Sequence, residues 1–375
     1  MTEIFLKDFR NFDELSLNLG EGINIFLGRN AQGKTNILEA VYFASVLRSR
    51  AVKVTDLISW DSGAAFVKIN FSKADVSQEV AVELLAGKRS RKLLVNGEEV
   101  RTKSFVGRLN AVMFSPEDLF LFKGAPAGRR QFLNAEISQA SPVYYGNLVA
   151  YNHVVTQRNN LLKKIRAGQI RRSSLATWDE QLARYAAKIT AERLIAVDTL
   201  NDFARIIHKN ISARNEKFSI KYELKNFDFD VAKENFYSEE FKQTLFEHYQ
   251  KFIEKNFANE IECGNTSVGP HLDDLKFFID DREIKLYASQ GQLRTAALSL
   301  KLAELEFLKS AHGEYPVLLL DDVMSELDAS RREKLINFLR IQKIQTIITA
   351  TEKKYFPEQN FGKTFEVIDG KVYKD

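Results

Sequence analysis

The chain has 375 residues, more than one compact core usually supports, so two domains or one domain with a large insertion are expected. Its hydrophobic content of 45% and charged content of 28% are those of an ordinary globular protein. The single cysteine, Cys263, excludes an internal disulfide and a cysteine-based zinc site and points to a reducing compartment.

The five histidines (His153, His208, His248, His271, His312) show no metal-ligand spacing. No apolar h-region precedes the first strand, and no apolar run approaches the ~18 residues of a membrane span, so a cytoplasmic protein without a membrane partner is expected. The net charge of +4 is unevenly spread. Between Lys123 and Arg172, nine basic residues (Lys123, Arg129, Arg130, Arg158, Lys163, Lys164, Arg166, Arg171, Arg172) face one acid, Glu136, a block of +8 that leaves −4 for the rest. Such a block suits a polyanion, whose phosphates release counterions when neutralised. The alternative is a solvated helical surface whose arginines cover apolar neighbours.

In chain order, Ile4–Leu6 and Leu15–Leu19 read as strands, and Ile23–Leu27 as a strand feeding Gly28-Arg29-Asn30-Ala31-Gln32-Gly33-Lys34-Thr35. The form G-x-x-x-x-G-K-[ST] between a strand and a helix is a phosphate-binding loop. Its amides and the helix N-terminus would cradle phosphates, Lys34 would bridge the β- and γ-phosphates, and the Thr35 hydroxyl would ligate Mg²⁺. The expected ligand is a nucleoside triphosphate.

Phe66–Phe71 and Val80–Leu85 continue the strands, and Asn96-Gly97 marks a hairpin. Leu109–Phe114 is a further strand, ending at the helix start Ser115-Pro116-Glu117-Asp118. From there helical spacing dominates: Leu148, Tyr151, Val155 and Leu162 form one stripe, and Leu175, Trp178, Leu182, Tyr185 and Ile189 another. With a break at Gly168 this predicts a helical hairpin with a basic tip, too short for an extended coiled coil. Lys217–Leu224 reads as a strand interruption and Phe241–Phe257 as a helix.

The α/β texture returns near Glu260. Ser289-Gln290-Gly291-Gln292-Leu293-Arg294-Thr295 opens a helix whose start is a second anion site. Pro316–Leu320 is an apolar strand ending in Asp321 and Asp322, expected beside the loop's own strand, with Asp321 in the Mg²⁺ shell and Asp322 polarising the attacking water. The expected fold is α/β: an ATPase head of mixed sheet and helices (1–123 plus 259–375) with an inserted, mostly helical arm (124–258).

The phosphate loop, the Ser289–Gln292 signature, Leu318-Leu319-Leu320-Asp321-Asp322 and Ser325-Glu326-Leu327-Asp328 together resemble ABC-type ATPases of the SMC/Rad50 class. With Leu6–Phe12, Phe114–Leu119 and Gly269–Leu275, the chain resembles more narrowly the RecF family of bacterial DNA replication and repair proteins. Leu272 stands where that family's Gly-Pro-His motif continues with Arg.

The resemblance implies a head-to-tail, ATP-dependent homodimer. Each subunit would hold ATP on Asn30, Gly33, Lys34 and Thr35, with Mg²⁺ on Thr35 and Asp321, and Asp322 as the base of a slow, switch-like hydrolysis. Ser289 and Gly291 would reach the partner's γ-phosphate, with Asp328 near the interface. Arg10 and Asn11 would contact base or ribose, Glu117 would sense the γ-phosphate, and Thr349 or Thr351 would stand at a switch position. It further implies DNA-damage (SOS) repair at double-stranded DNA and ss/dsDNA junctions, with RecR and RecO as partners. A nucleotide-binding subunit of an ABC transporter and a P-loop small-molecule kinase remain alternatives.

Overall fold

The computed structural model describes residues 1–49, 53–87, 91–212, 216–225, 236–356 and 361–374. A hairpin of β1 (Glu3–Phe9) and β2 (Phe12–Asn18) leads to β3 (Ile23–Leu27) and α1 (Lys34–Val46). Next come β4 (Ala64–Lys73), β5 (Val76–Leu85), β6 (Arg91–Val95), β7 (Glu98–Glu99), α2 (Thr102–Phe105) and β8 (Ala111–Phe114). Asn96 and Gly97 both have positive φ, 51° and 81°, as the tight turn between β6 and β7 requires.

The helical stretch comprises α3 (Phe120–Lys123), α4 (Pro126–Ala140), α5 (Pro142–Arg166), α6 (Ala176–Ile211), the strand β9 (Phe218–Glu223) and α7 (Glu239–Cys263). The chain then returns through β10 (Asp274–Ile279), β11 (Arg282–Glu283), α8 (Ile284–Tyr287) and α9 (Gln290–His312). It finishes with β12 (Val317–Asp321), α10 (Val323–Glu326), α11 (Ala329–Gln342), β13 (Thr346–Ala350), β14 (Lys363–Ile368) and β15 (Lys371–Lys374).

Contacts divide these elements into two compact units. The first comprises Met1–Phe120, Ile207–Asn215 and Ser289–Asp375; the second, Leu121–Ile206 and Glu216–Ala288. The sequence reading returns to the head at 259, whereas 259–288 belongs to the second unit. The cause is pairing: β10 runs antiparallel to β9 from Asp274↔Glu223 to Ile279↔Phe218, and α7 continues to Cys263.

In the first unit one sheet has the order β15-β14-β3-β13-β12-β8, parallel except for β15, and a second is antiparallel β2-β1-β4-β5-β6-β7. β3, β12 and β13 are buried almost throughout because both faces of a central parallel sheet are covered. β4 alternates, burying Ala65, Val67, Ile69 and Phe71 on one face. The expected pairing of β12 with β3 does not form. β12 does not lie beside the loop strand β3; β13 separates them. Strand order in a parallel sheet depends on where the crossover connections return, which a local apolar run cannot specify.

The second unit packs α4 to α7 with the sheet β11-β10-β9. α5 and α6 form the expected helical hairpin, turning at Gly168. Among the described residues no helix is long and apolar enough to cross a membrane.

Candidate nucleotide-binding site

The phosphate loop leaves β3 at Leu27, and α1 begins at Lys34. Gly33 holds φ at 103°, a conformation that favours glycine, and a Cβ there would come within 2.4 Å of Asn11 Nδ2 and displace that side chain. Asn11 donates to Gln32 O at 3.3 Å and accepts from Asn36 Nδ2 at 2.7 Å, fastening the loop to the β1–β2 turn. Asp369 N donates to Gln32 Oε1 at 2.5 Å and fastens the other side. Arg29, Asn30 and Ala31 are exposed along the curl. Lys34 Nζ donates to Gly28 O and Arg29 O at 2.6 and 2.7 Å. Burial lowers the Lys34 pKa, opposed by Asp322 and Asp321.

Register brings the acids to this loop. β12 pairs with β13 so that Asp321 opposes Thr349, and β13 pairs with β3 so that Thr349 opposes Phe26. Three parallel strands therefore end together: one in the loop, one in Thr349-Ala350, one in Asp321-Asp322. Asp321 Oδ1 accepts from Thr35 Oγ1 at 2.9 Å and from Thr349 Oγ1 at 2.8 Å. Asp322 N donates to the same Thr349 hydroxyl at 3.0 Å. Thr349 is thus a fully buried hydroxyl that orients the Asp321 carboxylate and holds the Asp322 backbone, a role that sequence position alone leaves open.

Asp322 has φ 53°, a left-handed conformation that costs a non-glycine residue energy and is typical of functional positions. Its Oδ1 is buried without a hydrogen-bond partner. Burial raises its pKa, Lys34 opposes this, and Asp321 reinforces it. A strained carboxylate with one unsatisfied oxygen beside a lysine is poised to take a proton or orient a water.

Ser289 caps α9: its hydroxyl accepts from Gln292 N at 3.2 Å, and Gln292 Oε1 accepts from Ser289 N at 2.9 Å. Gly291 has open space where a Cβ would project. Arg294 pairs with Glu326 at 2.6 Å, fixing this helix start against the segment that ends in Asp328. Asp328 caps α11 through Arg331 N at 2.9 Å. Arg10 is committed to Glu39, with Nε at 3.0 Å and Nη2 at 2.8 Å, and to Asp56 O at 2.9 Å. It therefore supports the β1–α1 junction, leaving Asn11 as the residue of that pair on the loop. Glu117 lies exposed in the turn after β8, and Thr351 follows the end of β13.

The basic block resolves into two classes within the second unit. Arg158 is fully buried, donating to Asp179 at 2.7 Å, Glu260 at 2.6 Å and Thr266 at 3.0 Å, and so ties α5 to α6 and α7. Arg129 is buried in a bidentate pair with Asp274, both contacts 2.8 Å. Arg172 stacks on Phe257 at 3.9 Å. Lys163, Lys164, Arg166, Arg171 and Arg172 remain exposed around the hairpin turn. Another buried network holds the Gly-Pro-His segment: Arg193 donates to Pro270 O at 2.5 Å, and Tyr222 donates to Asp273 at 2.7 Å.

The profile of the RecF/RecN/SMC N-terminal domain matches residues 1–370. The chain is 43% identical to the DNA replication and repair protein RecF of Halothermothrix orenii over 98% of this chain and 97% of that one. The chain belongs to the RecF family. The RecF of Clostridium tetani is 41% identical over 99% of this chain and 98% of its own. The solved recombination mediator protein RecF with ATP, from the RecFOR pathway, is 35% identical and covers 100% of this chain and 98% of its own, with a TM-score of 0.89. An Smc head bound to the C-winged helix domain of ScpA, 15% identical over 99% of this chain and 96% of its own with a TM-score of 0.55, shares the fold alone. The ABC-type ATPase head fold and a place among RecF DNA replication and repair proteins follow. The transporter-subunit and kinase alternatives fall away.

Proposed function

We propose that this RecF-family chain is an ATP-controlled DNA-binding dimer of recombinational repair, in which each nucleotide is closed over by the partner subunit. The observation that carries the reading is the 2.9 Å contact between Thr35 and Asp321 next to the unsatisfied Oδ1 of Asp322. A hydroxyl and a carboxylate oxygen at that spacing are hard donors suited to Mg²⁺, which takes one or two protein ligands and completes its shell with phosphate oxygens and water. Bound there, Mg²⁺ would neutralise charge developing on the β- and γ-phosphates. Lys34 would exchange the Gly28 and Arg29 carbonyls for phosphate oxygens. Asp322 would orient the attacking water.

The loop of one subunit covers one side of its nucleotide. Ser289 and Gly291, at a capped but open helix start, are suited to the γ-phosphate of a partner's ATP. ATP then binds the dimer better than ADP does, and differential affinity makes dimerisation nucleotide-dependent. The exposed cations Lys163, Lys164, Arg166, Arg171 and Arg172 are the surface offered to duplex DNA and ss/dsDNA junctions. RecR and RecO are the protein partners this reading implies, with hydrolysis as a slow switch.

The test is mass in solution with ATP, with ADP and with a gapped duplex. The reading predicts dimer with ATP, monomer with ADP, and a DNA complex only in the first case. A monomer under all conditions would refute it.

A further inference from the structure

Gly28, the first glycine of the phosphate loop, does not adopt a left-handed backbone. Space keeps it a glycine: a Cβ there would come 2.4 Å from Val367 O, so the loop leaves β3 against the main chain of β14. Register explains the contact. β14 runs parallel to β3 with Phe365↔Phe26 and Glu366↔Leu27, and the two phenylalanine rings stack at 4.8 Å. One position further along, Val367 meets Gly28. β14 then folds back into β15 with Ile368↔Lys371, which sets the turn Asp369-Gly370 beside the loop.

That turn is preformed. Its residues have φ of 45° and 73°, the left-handed pair of a two-residue hairpin turn, which Asp-Gly adopts readily. Both of its amides donate to the loop. Asp369 N reaches Gln32 Oε1 at 2.5 Å, and Gly370 N reaches Gln32 O at 3.3 Å. Asn11 Nδ2 donates to the same carbonyl at 3.3 Å, and Asn36 Nδ2, 2.7 Å from Asn11 Oδ1, fixes which way the Asn11 amide faces. Two hairpins therefore hold one carbonyl, and the second of them also holds the side chain.

A carbonyl held in this way aims the amide at the other end of its peptide. The unit is planar and trans, so the Gly33 N–H points away from Gln32 O and from both hairpins. In a loop of this form the backbone amides are the groups that cradle phosphate.

We infer that the Asp369-Gly370 turn is a positioning element of the nucleotide site, which acts through Gln32 to aim the Gly33 amide at the phosphates. The inference rests on a nucleotide being held by the loop, and does not require the shared site or the dimer.

The experiment titrates a fluorescent ADP analogue, which needs no partner subunit, into the full chain and three variants, with urea midpoints confirming that each is folded. Gln32→Met keeps the length of the side chain and removes its acceptor. Gly370→Asn suits the left-handed turn, but its Cβ would come 2.7 Å from Asn11 O. Each should weaken ADP by about three- to tenfold, the range of one lost hydrogen bond. Because both act on one contact, the double variant should lose less than the product of the two. Tyr373→Ser, half-exposed on the same hairpin and paired with Glu366 away from the turn, should bind ADP as the wild type does. Unchanged affinity in Gln32→Met and Gly370→Asn would overturn the inference. So would losses that multiply in full, or a Tyr373→Ser loss as large as theirs. Failure of dimerisation with ATP would leave these ADP affinities as they are.

Discussion

Thr35 Oγ1 donates to Asp321 Oδ1 at 2.9 Å, joining positions 286 apart in the chain. The contact places the hydroxyl at the start of α1 against the carboxylate at the end of β12, the two groups assigned to one Mg²⁺. Thr35→Ala and Asp321→Asn are each expected to raise the Mg²⁺ needed for half-maximal nucleotide binding. The increase should be at least the roughly 10–100-fold that loss of an outer-shell partner costs. Magnesium titration at fixed fluorescent nucleotide measures it.

Asp322 should separate hydrolysis from binding. Asp322→Asn is expected to slow single-turnover ATP hydrolysis by about 10²–10⁴-fold with nucleotide affinity retained. Asp322→Glu, which reaches one methylene further, should accelerate it. Because burial raises the Asp322 pKa, the rate should climb with pH along a limb displaced upward from the ordinary aspartate value, where the side chain loses its proton. A rate independent of pH through that limb would remove Asp322 from the role.

The second unit contains one buried and one half-buried group with opposing pH effects. Burial raises the Asp273 pKa to about 6 and lowers that of His271 to about 4. Asp273 holds its proton more tightly folded than unfolded, so its contribution is present at low pH and lost as pH rises from the ordinary value of 3.8 to about 6. His271 binds its proton more weakly when folded, so its contribution is lost as pH falls from 6.5 towards 4. The two slopes cancel over much of pH 4–6. Asp273→Asn should leave stability rising with pH in that window, and His271→Gln should leave it falling, each by at most about 1.4 kcal/mol per pH unit. Urea midpoints against pH check both signs.

The basic block should divide in the same way under mutation. Arg158→Ala removes one partner of a buried network and should destabilise the second unit by about 3–5 kcal/mol. It therefore says nothing about DNA contacts. Lys163→Glu, Lys164→Glu and Arg171→Glu, all exposed, should leave the unfolding midpoint nearly unchanged. Each phosphate contact they remove should reduce the salt slope of duplex binding by about one. An unchanged slope would make the hairpin tip a solvated surface.

What was legible in the sequence was local. The curl of Gly28–Thr35, the helix start at Ser289, the Asn96-Gly97 turn and the apolar run into Asp321-Asp322 are each fixed by neighbours within a few positions. What was not legible depends on pairing across the chain. No periodicity could place β13 between β3 and β12, or bring Thr349 onto both aspartates. A charge count cannot distinguish Arg158, buried among Asp179, Glu260 and Thr266, from Lys164 in solvent. Arg10 matched a family position, yet its guanidinium belongs to Glu39, a partner that the spacing of the motif does not reveal. The head was expected to resume at 259 because strand texture returned there; the β9–β10 register assigns that stretch to the other unit.

The central claim is that one nucleotide is served by two subunits, and it is tested most directly by mixing two inactive variants. Lys34→Met disables the loop, and Ser289→Arg blocks the helix start that would close over a partner's loop. Neither should hydrolyse ATP alone. In an equal mixture, half the dimers would be mixed and each would carry one intact composite site, so about a quarter of the wild-type rate should return. A mixture as inactive as its two components, or a Ser289→Arg protein that hydrolyses ATP unaided, would contradict the shared site.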